Sequence, residues 1–254
     1  MTLPHKPPSR PGIGLTLGLI ALYAASIQLV STALMLLLGP NWLWRTLLLT
    51  EIGFLLGLWC WLRRRWDCAA LGLRPVSWHE GLVIVLWFQA IAFASDAAVL
   101  WLVPEALVDS YLRLFHPAGP GEWAALATVA ILLAPVLEEL LFRGLLLAAV
   151  KRRFGIRTAV VSTALLFALI HAKPLQVAAA LPLGVILAAY VARGGSVYVT
   201  MAAHIIGNAF SFLGLVFPGI PWVSADWRPD TVSGLSSLVT AVVLLGGFLR
   251  RHRP

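Results

Sequence analysis

Two adjacent carboxylates, Glu138 and Glu139, and an arginine four residues further on, Arg143, interrupt an otherwise apolar run from Trp123 to Val150. An ionised group at bilayer depth costs roughly 2.5 to 3.5 kcal/mol on insertion scales, so such residues face a bundle interior or a water-filled cavity and mark a functional site. Helical geometry separates their jobs. Glu139 and Arg143 are four apart and pair on one face, whereas Glu138 is turned about 100° away and stays available. Two further apolar runs repeat the four-residue spacing, Phe167 with His171 and His204 with Asn208. Phe167 would wall one imidazole, and His204 and Asn208 would point into the same space, with Gly207 between them allowing close approach.

This set has the parts for amide hydrolysis. A carboxylate in a low-dielectric pocket takes a proton from water and later returns it to the leaving amine, while His171 holds the same water. His204 and Asn208 can donate to the oxyanion that forms on the scissile carbonyl, a contribution of about 3 to 4 kcal/mol per donor. Neither serine nor cysteine is needed as nucleophile. Two other chemistries use the same residues. Glu138, His171 and His204 form a two-histidine, one-carboxylate set typical of catalytic zinc, with Glu139 then the base, although no HExxH occurs. A non-enzymatic membrane immunity or scaffold protein, or a small transporter using Glu138 as a proton site, is the alternative from another class; no internal repeat of the kind common in transporters is evident.

The elements that must position these groups follow from composition. The chain has 254 residues, 60% of them hydrophobic and 12% charged, with a mean hydropathy of +0.88. A soluble domain carries about 25% charged residues, so this is an integral membrane protein. The net charge of +8 sits in short basic clusters between apolar runs, which reads as membrane topology rather than nucleic-acid binding. Cys60 and Cys68 have neither metal-site nor disulfide spacing. Apolar runs predict an all-α polytopic bundle of about eight spans, beginning near Ile13, Leu43, Glu80, Trp123, Thr158, Leu175, Ser196 and Val232. The fifth is short and stops before Pro174, so it is a tilted or buried helix or ends inside the protein.

Fourteen of the 19 lysines and arginines fall on one side of this arrangement, four on the other, and Arg143 inside. The positive-inside rule then puts both termini in the cytoplasm, in the inner membrane if the cell is prokaryotic. Glu138, His171 and His204 would all lie roughly 12 to 20 Å from that face, which suggests one pocket reached from the cytoplasmic half. Asp96, Glu51 and Gln89 also lie in spans; nothing in their spacing pairs them with the cluster, and they are assigned to packing or helix ends.

In order and spacing, Glu138-Glu139-x-x-x-Arg143-Gly144, Phe167-x-x-x-His171 and His204-x-x-x-Asn208 resemble the three signature motifs of the CPBP (CAAX protease and bacteriocin-processing, or Abi) family, which contains the type II CAAX prenyl endopeptidases. The resemblance covers about 71–217, including Leu71-Gly72-Leu73 ahead of the core. It implies Glu138 as the water-activating base, His171, His204 and Asn208 as oxyanion donors, and Glu139 with Arg143 as a supporting or substrate-orienting pair. It also implies a peptide or membrane-protein substrate, CAAX-type or other, and no resident cofactor, zinc being the alternative. The chain then divides into a cytoplasmic tail (1–12), two flanking helices with a basic loop (13–70), the catalytic core (71–217), and a loop, last helix and basic tail (218–254).

Overall fold

The computed structural model describes residues 12–64, 68–113, 115, 117, 119–217 and 228–251. Long helices joined by short connections make up these residues, with no strand among them. We number them α1 (Ile13–Leu38), α2 (Leu43–Leu62), α3 (Trp78–Leu102), the short α4 (Glu105–Leu112), α5 (Pro120–Leu169), α6 (Pro174–Ala192), α7 (Val197–Val216) and α8 (Thr231–Arg251). All but α4 are long and apolar enough to cross a membrane, seven in all among the described residues. The protein is a multi-pass membrane helical bundle. The expected tail before Gly12, the loop 218–227, and the basic residues Arg65 and Arg253 on which part of the charge count rests lie outside the described residues.

The fourth and fifth expected spans are two helical arms separated at Gly155, where the backbone leaves the helical region with φ 81° and ψ 175°. That left-handed backbone is cheap only for glycine. Arg153 and Arg157 flank the turn, as a polar turn between two apolar arms requires. The arms are residues 120–154 and 156–169.

The middle of α5 is the centre of the molecule. From Glu139 to Leu147 every side chain is buried, charged ones included, so a segment apolar almost all round is surrounded by other helices. Helix α6 lies along the second arm of α5. Small residues permit the approach: a β-carbon at Gly184 would stand 3.3 Å from Ala164 Cα and 3.2 Å from Phe167 Cδ1. Helix α3 packs against α6, α7 and α8, and exposed leucines and valines such as Leu36, Leu37, Leu86, Val242 and Val243 clothe the outer faces.

Two fastenings sit at opposite ends. Near the basic loops, Gly72 takes a positive φ of 73° and its carbonyl accepts from Val197 N at 2.9 Å, while Ser196 Oγ donates to Arg74 O at 2.5 Å. Leu71 O lies so near Gly144 that a β-carbon there would come within 3.3 Å of it. The Leu71-Gly72-Leu73 loop thus ties the start of α7 to the middle of α5. At the other end, Glu122 is buried, accepts from Trp44 N at 2.9 Å and pairs with Arg45 Nε at 3.1 Å, which holds α2 to the start of α5.

Candidate active site

Local helix irregularity sets up the site. Ala134 N–H reaches back five residues to Val129 O, a π-type turn, and Pro135 follows it. In that register Pro135 would have donated to Ala130 O, and it has no N–H to give. Asn208 Nδ2 supplies the missing donor, at 2.8 Å from Ala130 O. A second π-type stretch, Glu139–Leu146, begins directly after Glu138. Such single-turn bulges occur mostly at functional positions because they re-aim side chains.

The two carboxylates part company as their spacing predicts. Glu139 is fully buried; its Oε1 accepts from Arg143 Nη1 at 2.8 Å and lies 3.1 Å from His204 Nδ1. Arg143 also stacks on Phe167, its Cζ 4.2 Å from the ring centroid. Glu138 makes no contact that close: its nearest ionic partner is His204 Nε2, 3.9 Å from Oε2. Phe167 stands between the imidazoles, edge to face with His171 at 5.2 Å and with His204 at 5.8 Å.

Hydrogen-bond chemistry fixes one tautomer. His171 Nδ1 is 2.8 Å from Phe167 O, and a carbonyl can only accept, so the proton sits on Nδ1 and the neutral ring presents a lone pair at Nε2. His204 Nδ1 faces the Glu139 carboxylate in the same manner. Each imidazole is therefore held by Nδ1 and offers Nε2; that atom accepts in the neutral ring and donates only when the ring carries both protons.

One cavity of about 450 Å³ is lined by Glu138, Phe167, His171, His204 and Asn208, so the residues singled out from sequence meet around a single space, with Glu139 and Arg143 behind its wall. Two residues assigned to packing belong to that space as well. Gln89 and Asp96 line it, and Gln89 Nε2 donates to Ala203 O, next to His204, at 2.9 Å. Glu51, in contrast, is buried and accepts from Tyr23 Oη at 2.9 Å, outside the cavity wall. Spacing within one helix could not have revealed Asp96; only the packing of α3 against α7 brings it round.

The lining residues give the cavity a direction along the bundle. Its wall takes the later turns of α3 and α7, the opening turns of α6, and α4. The space therefore runs from Glu138 toward the end of the bundle that carries α4, away from the basic loops at Arg74, Arg153 and Arg193. At that end Tyr111 of α4 also lines the wall. Burial pushes its hydroxyl well above the ordinary tyrosine range, the Asp96 carboxylate nearby adds to this, and a hydrogen bond with Gln176 opposes it.

The zinc alternative asks Glu138, His171 and His204 to converge to about 2 Å around one ion. Among the described residues no three of histidine, cysteine, aspartate and glutamate gather closely enough to hold a metal.

Residues 120–210 match the family of type II CAAX prenyl endopeptidase Rce1-like proteins. Over that segment the chain resembles these proteins. All the named residues of the three motifs, Glu138 to Asn208, fall inside the matched segment. No curated protein and no solved structure matches the chain. Asp96 and Tyr111 lie before the matched segment.

Proposed function

We propose that this protein is an intramembrane endopeptidase in which Glu138 activates the attacking water. The observation that carries the reading is the division between neighbouring carboxylates: Glu139 is held through Oε1 by Arg143 and His204, while Glu138 faces the cavity and Nε2 of His204 without a short bond of its own. The Glu138 carboxylate removes a proton from water, and the hydroxide adds to the scissile carbonyl carbon. The resulting oxyanion is met by donors on the opposite wall, the C–N bond breaks, and the proton on Glu138 passes to the leaving amine.

The imidazoles divide the remaining work. His171, proton on Nδ1, accepts from the same water at Nε2 and holds its second hydrogen. His204 serves as oxyanion donor in its doubly protonated form, with Glu139 as counter-charge. One N–H of the Asn208 amide is engaged by Ala130 O and the second is available to the oxyanion. Glu139 and Arg143 hold His204 in place. No step needs a resident cofactor.

The substrate is a peptide or the end of a membrane protein, and the CAAX-type peptide named by the family is the first to try. The catalytic core is 71–217, the helices of 13–70 and the segment 218–254 flank it, and the tail 1–12 is cytoplasmic. With both termini cytoplasmic, in a prokaryotic inner membrane or its equivalent, the cavity described above leads toward the non-cytoplasmic side. Purified protein in lipid nanodiscs, assayed on a fluorogenic peptide panel with and without a chelator, tests this. Turnover that persists in chelator and disappears in Glu138→Gln supports it; turnover that needs added zinc, or survives Glu138→Gln, overturns it. An immunity or scaffold protein would retain its function in Glu138→Gln.

A further inference from the structure

The charge inventory of the cavity is one-sided. Its wall holds two carboxylates, Glu138 and Asp96, and two imidazoles, yet among the described residues no lysine or arginine lines it. Glu138 belongs to the hydrolytic cluster. Asp96 does not: it lines the space from α3, and no hydrogen bond or ion pair holds its carboxylate among the described residues. A carboxylate inside a membrane span that faces a cavity carries a desolvation cost that a cationic ligand would offset. The cations at this end of the molecule are placed elsewhere. Arg228 reaches Asp109 at 3.5 Å, Arg45 pairs with Glu122, and neither Lys173 nor Arg113 lines the space.

Position along the helix gives the distance. Gln89 bonds to the backbone beside His204, and Asp96 lies seven residues, or about 10 Å, further along α3. An extended peptide rises about 3.3 Å per residue, so Asp96 meets a side chain roughly three residues from a bond held at Glu138. Tyr111 and Gln176 line the same end of the space and offer further polar contacts there.

We infer that Asp96 forms a specificity subsite for a basic side chain of the substrate, a lysine or arginine about three residues from the scissile bond, on the part of the peptide that extends toward α4. The inference rests on the protease reading, deepening it by naming the recognition chemistry. Fully desolvated charge pairs discriminate strongly when one partner is removed, so the preference is on the order of 10-fold or more in kcat/KM.

The test uses the full chain in nanodiscs and a peptide series in which one lysine is moved from two to five residues away from the cleaved bond, on either side, with alanine and glutamate counterparts. The wild type should favour lysine over alanine at one position near three residues; Asp96→Asn should bring that ratio close to one, and Asp96→Lys should favour glutamate. A wild type that cleaves the series without discriminating, or an Asp96→Asn protein that keeps its lysine preference, overturns the subsite. A separate readout covers failure of the protease reading itself. A photo-crosslinkable lysine peptide should label Glu138→Gln protein, and labelling should fall several-fold in Glu138→Gln/Asp96→Asn; equal labelling of both rejects the subsite whether or not any peptide is hydrolysed.

Discussion

Glu138 and Glu139 are chemically identical and adjacent, and the fold gives them different surroundings. Two expected outcomes follow from that difference. Glu138→Gln should lower turnover on the order of 10³-fold, within the range usual for loss of a general base, with the thermal midpoint in detergent unchanged and peptide binding retained. Glu139→Gln should behave in the opposite way: Arg143, whose side chain is 1% exposed, is left without a counter-charge in the core. Breaking a buried pair from one side costs about 3 to 5 kcal/mol, read as a markedly lower thermal midpoint. The motif residues were legible from sequence because spacing on a helix fixes which face a side chain takes. Asp96 and Gln89 were not, because a polar residue alone on its helix reveals nothing until another helix packs beside it. The tautomer of His171 was equally hidden, since it depends on a backbone carbonyl one turn earlier.

At the scale of the element, the two π-type stretches of α5 are the least regular part of the backbone and the part that carries the carboxylates. Hydropathy marks where α5 lies, but an N–H that reaches five residues back instead of four leaves no trace in composition, so the pairing of Asn208 with Ala130 could not be read in advance. That pairing makes a specific expectation. Asn208→Ala orphans the Ala130 carbonyl and should destabilise the protein by about 1 to 3 kcal/mol. Pro135→Ala restores a backbone donor at the position facing that carbonyl, so the double variant should recover part of the thermal midpoint while activity stays low. Equal losses in the single and double variants would show that Pro135 is not the reason Asn208 is needed there.

For the whole molecule, hydropathy and the distribution of arginines were enough to give an all-helical, multi-pass bundle, because the bilayer imposes span length directly. They could not show that the break between the fourth and fifth spans falls at Gly155, nor toward which end the cavity leads. The second point is measurable. Ser211 is exposed and lines the cavity, and Cys68 is exposed in the basic loop at the opposite end. With Cys60 replaced by serine, a membrane-impermeant maleimide should label Ser211→Cys in right-side-out vesicles and Cys68 in inside-out ones. Labelling of both from one side would reject the orientation expected from the charge count.

The second arm of α5, residues 156–169, would be about 21 Å long at 1.5 Å per residue, well short of the roughly 30 Å thickness of the hydrocarbon layer. Its end falls at His171, Ala172 with a positive φ of 59°, and the exposed Lys173. An ammonium group does not rest in hydrocarbon, so solvent or lipid headgroups must dip inward to meet it. Hydrolysis consumes one water molecule per cycle, and a dimple of hydration that ends beside an imidazole would deliver it without opening the bundle.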